Sequence, residues 1–355
     1  MTDTVIPKMV GSALVHALDG ATVVDDLGSP TPGDYGDVAA EYAQLRDGAA
    51  VVDRSVGGAV QVIGRDARSF LDSLVSQDLT PLSDGQGVHS LLLQPTGKLT
   101  ADFRLLQIDA VDLWLDADVG VGELLADGLN RFKIRVQADI VDRSSEVGRI
   151  SIKGAHAVAR VAEVLGVAVP DAAHAHVAWH SARVVRSDWP GVPGVDVVGP
   201  RDAVEAAWDA LAGGGVARAG LSALEAVRVE AGVPRQGHEL DGTTIAQEAF
   251  LERDAVSFAK GCFLGQELVC RIDTRGHVNR MLRGLLVAGD RLPAVGDAVA
   301  TEERTVGRVT TVARSPRLGV VALSYVRREV EFPAAVTIGD DGEPLSAEAR
   351  ELPLL

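Results

Sequence analysis

Two apolar runs, at 89–93 and 100–108, flank the segment Pro95-Thr96-Gly97-Lys98. A turn signal between two strand-like runs predicts an antiparallel hairpin, and it sets Asp102 at the start of the second strand. The apolar spacing around this hairpin mixes both periods. Strands are expected at 49–53 and 59–63 and near 136–141, with a short helix at 38–46 and another helix at 122–132. Asp66 stands where it could cap a helix with Phe70, Leu71, Leu74 and Val75 on one face. Farther on, helices at 156–165 and 202–211 alternate with strands at 182–186 and 194–198, so 146–213 reads as a compact α+β subdomain. The fold class expected for the whole chain is α+β.

Gly213-Gly214-Gly215 is the clearest break. After it, Ser222 and Glu225 have the spacing of a capping box for a helix that stops near Gly232. From Leu282 onward short Val-rich segments separated by Gly, Asp and Pro predict a small C-terminal β-barrel. Before all of this, the residues up to Pro32 read as a lead-in strand and a loop ending in Ser29-Pro30-Thr31-Pro32-Gly33. A chain of 355 residues is too long for one ordinary core and implies two or three domains.

Charge narrows the partners. A net charge of −16 repels a phosphate backbone, so no direct nucleic-acid binding is expected, although Lys260, Arg271, Arg275 and Arg280 leave a local basic patch suited to a small anion. No apolar run reaches the ~18 residues of a membrane span, and Met1 to Met9 lacks the flanks of a secretory signal. The two cysteines, eight positions apart, fit neither a disulfide framework nor a zinc pair, which suggests a reducing, cytoplasmic setting and no metal site. His174, His176 and His180 lack a nearby Cys or Glu and lie in a strand-like stretch, which makes them poor metal ligands.

The densest chemical signal is Lys260-Gly261-Cys262-Phe263-Leu264-Gly265-Gln266-Glu267, followed by Arg271. Gly265 can open a turn, and the residues after it are good helix formers with an acid in the first turn. Cys262 would then precede a helix N-terminus with Lys260 two residues upstream, a setting that favours a reactive thiolate. On spacing alone a small buried core cysteine is the more ordinary reading. Cys270 lies outside this run and reads as packing.

The whole run, with Arg275-Gly276 and Arg280 after it, resembles the signature of the YgfZ family, folate-binding relatives of the glycine cleavage T-protein that support iron-sulfur enzymes. The resemblance extends from about residue 36 to the C-terminus. It includes Asp53-Arg54-Ser55, Gln77-Asp78-Leu79, Gln94 to Asp102, Asn130-Arg131-Phe132-Lys133-Ile134, Arg228 to Pro234 and Thr244 to Glu248. It implies a ring of three domains around a channel. Residues 36–145 plus 214–280 would form the folate-binding domain, 146–213 an inserted ferredoxin-like subdomain and 281–355 the barrel, with 1–35 as an N-terminal extension.

It also implies a cofactor, tetrahydrofolate or a one-carbon derivative. Asp196 matches the T-protein carboxylate that accepts protons from the pterin edge. Asp102 matches its catalytic hairpin acid, and Cys262 and Lys260 match the signature cysteine and lysine. Gly261, Gln266, Glu267 and Arg271 complete the candidate folate-binding set. Two departures stand out: Ala101 occupies one of the T-protein's paired aspartate positions, and Leu224 replaces an arginine near its folate. The expected function is therefore a folate-binding accessory of iron-sulfur cluster assembly or repair, with iron-sulfur enzymes or cluster carriers as partners and an indirect effect on tRNA modification. The alternative enzyme reading is a folate-dependent aminomethyltransferase or methyltransferase. A scaffold that no longer uses folate is a third class.

Overall fold

The computed structural model of the chain describes residues 12–339 and 343–354; the Met1 to Met9 segment therefore lies outside them. Three bodies of sheet carry the fold. The predicted hairpin is present as strands Gly87–Leu93 and Leu99–Gln107, which pair antiparallel with His89 opposite Arg104 and Leu91 opposite Asp102. Asp112–Val119, Gly57–Ile63 and Asp139–Asp142 extend it to a five-stranded sheet. Alternation sets its two faces: Ala101, Phe103 and Leu105 join one apolar core with Leu113, Leu115 and Ala117, which leaves Asp102, Arg104, Asp116 and Asp118 on the other face.

A second, six-stranded sheet holds Val147–Lys153 at its centre, flanked by Ala50–Asp53 and Gly194–Pro200. Helices Ala157–Leu165 and Arg201–Gly213 cover its outer face, with Trp208, Leu211 and Val161 in the core between them. Hydrogen bonding runs across the boundaries expected at 146 and 213, because Ala50–Asp53 and Ala217–Arg218 are strands of this same sheet. The third body is the expected barrel. Its six strands close upon themselves, since Arg280–Val287 pairs with both Gly319–Arg327 and Leu345–Arg350.

Several local expectations change. Ser29–Asp34 is a strand, paired with Thr22–Asp26, although it contains two prolines. Such a strand suits a two-stranded ribbon, where an edge needs no partner for the missing N–H groups. Leu14 and Ala17 pack into the core of the six-stranded sheet, so the described part of the lead-in is integral to it. The helix Leu221–Ala231 is capped by the backbone of Gly220 and not by a Ser222–Glu225 box. Glu225 is instead taken by Arg228 and Arg235. Asp66 likewise spends its side chain on the Gln137 amide rather than on its own helix.

The helix Leu221–Ala231 is the hub of the fold. Nearly every residue in it is buried, between the helix Val38–Asp47 and the barrel strand Thr305–Ser315, and Gly232 ends it in the left-handed region at φ +71°. Glu230, wholly buried on it, accepts from Tyr42 Oη at 2.8 Å, from Ser315 Oγ and from Arg317 at 3.2 Å. One carboxylate thus joins the helix Val38–Asp47, which packs on the six-stranded sheet, to the barrel. Glu230→Ala leaves the Tyr42 and Ser315 hydroxyls unpaired in the interior and is expected to lower unfolding free energy by about 2–4 kcal/mol in urea titrations.

Candidate functional site

A cavity of about 700 Å³ opens where the bodies meet. Its wall takes His89, Asp102, Arg104, Asp116 and Asp118 from the five-stranded sheet and Arg149, Ser151, Lys153 and Asp196 from the six-stranded one. Leu224, Arg228 and Arg235 come from the hub helix and the loop after it, Phe250, Leu251, Arg253 and Asp254 from the short helix Glu252–Ala255 and the residues leading into it, and Leu352 and Pro353 from the last described segment. Its volume lies within the range of small-molecule sites. In a chain of net charge −16 this wall is rich in guanidinium groups.

Those groups are ordered by acids in alternation. Asp196 Oδ2 accepts from Arg104 Nη1 at 2.7 Å; Arg104 Nη2 donates to Asp116 Oδ2 at 2.5 Å; Asp116 Oδ1 accepts from Arg149 Nη1 at 2.6 Å. Burial alone would push the Asp196 carboxyl up, but Arg104, with Lys153 and Arg149, holds it well below the usual carboxylate range. A second cluster lies beside the first. Asp118 receives Arg54 at 3.1 Å, while Arg235 reaches Asp26 at 2.8 Å and Glu225 at 3.1 Å.

The two candidate acids thus share one cavity. Asp196 keeps one oxygen, Oδ1, buried and without a hydrogen-bond partner. A buried acceptor of this kind is expensive unless something donates to it. Asp102 is held in a different way. Its backbone N–H donates to Gln236 Oε1 at 2.9 Å, and its side chain pairs with His89 Nε2 at 2.6 Å. Ala101, on the other face of that strand, is enclosed in apolar core, so Asp102 is the acid that this part of the hairpin turns to the cavity.

The cysteine loop is elsewhere. None of Lys260, Gly261, Cys262, Gln266, Glu267 and Arg271 lines the cavity. Helix Gln266–Arg275 begins after Gly265, as expected, with Gly265 at φ +76°. Cys262 and Gly261 are exposed ahead of it, Glu267 and Arg271 are exposed on it, and Gln266 Oε1 accepts from the Phe263 amide at 2.9 Å. Lys260 is spent structurally. Its ammonium donates to the carbonyls of Asp72, Val75 and Gln77 at 2.7–3.0 Å and to Asp72 Oδ1 at 3.2 Å, which ties the loop to the end of helix Ala67–Asp72. The loop and the hairpin turn do meet. A Cβ on Gly265 would fall 2.4 Å from Gln94 O, and one on Gly97 would fall 2.5 Å from Leu268 Cβ, so both positions need glycine. Cys270 is partly buried, and burial with Asp273 nearby pushes its thiol up.

Sequence reading missed His89, Arg104, Arg149, Lys153 and Asp26. Lys153 is buried, with its ammonium on the carbonyl and hydroxyl of Ser187 and over the Trp189 ring, and burial lowers it to about 8. The three histidines separate: His174 lines the cavity, His176 pairs with the Gln107 carbonyl at 3.1 Å, and His180 packs on Trp179. Burial, aided by Arg104, lowers His174 to about 3, so it is neutral near pH 7.

Comparison with known proteins places this geometry. The GCVT N-terminal domain family matches residues 13–260. The chain is 27% identical to an aminomethyltransferase of Cutibacterium acnes over 96% of both chains, and 29% identical to one of Synechococcus elongatus over 96% of this chain and 93% of that one. The glycine cleavage system aminomethyltransferase T of Bartonella henselae, at 23% identity, shares the fold with a TM-score of 0.85 over 95% of this chain and 94% of its own.

The guanidinium clusters predict a pH signature. Burial tends to raise Glu225, but Arg228 and Arg235 bring it down to about 2 from an ordinary 4.5. A carboxylate depressed in this way stabilises the fold above its unfolded pKa and ceases to do so as pH falls through the folded value. Glu225→Gln is therefore expected to be less stable than the parent by on the order of 3 kcal/mol at pH 7. In denaturant titrations that difference should shrink between pH 4.5 and about 2. A constant difference across that range would contradict the assignment.

Proposed function

This chain belongs to the GCVT N-terminal domain family, and from that premise we propose that it binds tetrahydrofolate or a one-carbon derivative in the central cavity and works in folate-dependent one-carbon transfer of the aminomethyltransferase type. The observation that carries this is Asp196: a buried, ionised carboxylate on the wall of a roughly 700 Å³ cavity, with one oxygen held by Arg104 and the other unpartnered. A pterin edge offers N–H donors suited to such an acceptor, and a charge-assisted bond in a closed site fixes both orientation and selectivity. Asp102 and His89 stand on the same wall as the polar pair available to the transferring end of the ligand. Folate supplies the nitrogen atoms that carry a one-carbon unit. The protein's own share is to hold, orient and exchange protons.

Leu224 sets an apolar spot on the wall where the T-protein resemblance expects an arginine. Guanidinium groups from Arg54, Arg104, Arg149, Arg228 and Arg235 remain around it, so the cavity keeps its attraction for an anionic ligand. By calorimetry, tetrahydrofolate should bind the full chain saturably, and Asp196→Ala should weaken it at least about tenfold, the loss expected of one charge-assisted bond. Aminomethyl transfer is tested with a lipoyl-bound aminomethyl donor, scored as methylene-tetrahydrofolate formed. Binding without turnover would remove the transferase part and leave the folate site.

One observation favours a second reading. Cys262 is exposed on its own face, on a loop whose lysine is tied to the fold. A thiol held out to solvent and away from the folate cavity suits contact with another protein, as an iron-sulfur assembly or repair accessory would need. In that reading the client is an iron-sulfur enzyme or cluster carrier, and tRNA modification is affected only through such enzymes. In a strain deleted for the gene, Cys262→Ala should fail to restore iron-sulfur enzyme activity while folate binding in vitro is unchanged. Full restoration would end this reading.

A further inference from the structure

We propose that His89 is the proton-exchanging residue of the cavity and that Asp102 orients it, an assignment that rests on the folate reading above for the ligand it serves. Strands Gly87–Leu93 and Leu99–Gln107 place His89 and Asp102 diagonally across one antiparallel pair, with Nε2 and Oδ1 2.6 Å apart. A carboxylate only accepts, so the Nε2 side of the ring must carry a hydrogen in both protonation states. The proton that comes and goes is therefore the one on Nδ1.

That nitrogen is free to act. Among the described residues no hydrogen bond is made to His89 Nδ1, and it is not among the enclosed unpartnered atoms, while the residue itself lines the cavity. Asp102 is fixed in turn, its amide on Gln236 Oε1 and Gln236 Nε2 on the Thr100 carbonyl at 2.9 Å. Acid, ring and open nitrogen in this order are the arrangement by which a buried carboxylate selects a tautomer and aims an imidazole at a reacting atom. In the charged form Nδ1–H donates to a nitrogen lone pair in the cavity. In the neutral form Nδ1 accepts, and Nε2–H stays on Asp102 throughout.

The surroundings set the working range. From its partner strand His89 meets Asp102 and Arg104, from the segment before His176–Trp179 it meets His174 with ring centroids 6.4 Å apart, and from helix Glu252–Ala255 it meets Asp254 and Arg253 across the cavity. Burial pushes the ring's pKa down, but the charge and hydrogen bond of Asp102, with Asp254, outweigh it and raise it above the ordinary 6.5. His174 stays neutral under the same conditions and does not compete for the proton.

The test needs no turnover. In the free protein, the ring nitrogen chemical shifts of His89, assigned by their loss in His89→Gln, should titrate above pH 6.5 and show the Nε2–H tautomer in the neutral form. Adding tetrahydrofolate should raise that midpoint. Calorimetry in buffers of different ionisation enthalpy should then detect proton uptake by the parent. His89→Gln can still donate to Asp102 but cannot titrate, so it should bind folate with the uptake lost. An Nδ1–H tautomer, or saturation by folate with an unmoved midpoint, would overturn the proposal. Absence of saturable binding in the parent would instead overturn the folate reading, and the ligand-free titration tells the two failures apart. If transfer turnover is measurable, His89→Gln should lower kcat by about 10²-fold or more, with KM rising by no more than the midpoint shift measured for the parent requires.

Discussion

Asp196, Arg104, Asp116 and Arg149 form one chain of ion pairs whose two inner members belong to the five-stranded sheet and whose two ends belong to the six-stranded one. Arg104 and Asp116 sit opposite each other within the five-stranded sheet, and each reaches outward to a charge on the six-stranded sheet. Arginine suits this task because its planar fork donates along two edges at once, here to two different acids. The pairs are buried, so each member depends on the others: removing one would strand an unpaired charge at a cost of several kcal/mol. The cavity is the space these charges border. Its polarity therefore follows from the interaction that stitches its walls.

This stitching separates two parts of the chemistry. The acids and guanidinium groups face inward, where desolvation strengthens every pairing; Asp196 Oδ1 is enclosed without a hydrogen-bond partner, and the Ser151 hydroxyl beside the carboxylate favours its ionised form. The cysteine loop is carried at the back of the hairpin turn, locked through Gly97 and Gly265 and pinned by Lys260, with its thiol in solvent. Hairpin and loop are thus mechanically continuous although their functional groups point to different places. That continuity explains how one strongly patterned hairpin supports both an enclosed acid and an exposed thiol.

Much of this was legible in the residues. The hairpin at Pro95 to Lys98, the helix after Gly265, the terminal barrel and the candidate acids Asp102 and Asp196 all follow from turn chemistry, periodicity or motif resemblance. The pairings of Arg104 with Asp196 and of Arg235 with Asp26 did not, because these partners lie 92 and 209 positions apart and no local rule brings them together. A signal was nonetheless present. Asp102 and Arg104, and likewise Asp116 and Asp118, repeat with the strand period of two inside otherwise apolar runs. Charges on one face of a strand whose other face is core point to a polar cavity. The Ser222–Glu225 box failed for a related reason: Arg228 and Arg235 offered Glu225 a stronger partner than a helix N–H.

The most direct test of the central claim is a crystal structure of the full chain soaked with tetrahydrofolate. The account predicts the pterin in the central cavity with an N–H on Asp196, Arg104 still on Asp196 Oδ2, and the one-carbon-bearing nitrogens on the side of His89 and Asp102. Folate seated at the cysteine loop, or in the cavity with Asp196 unengaged, would contradict it.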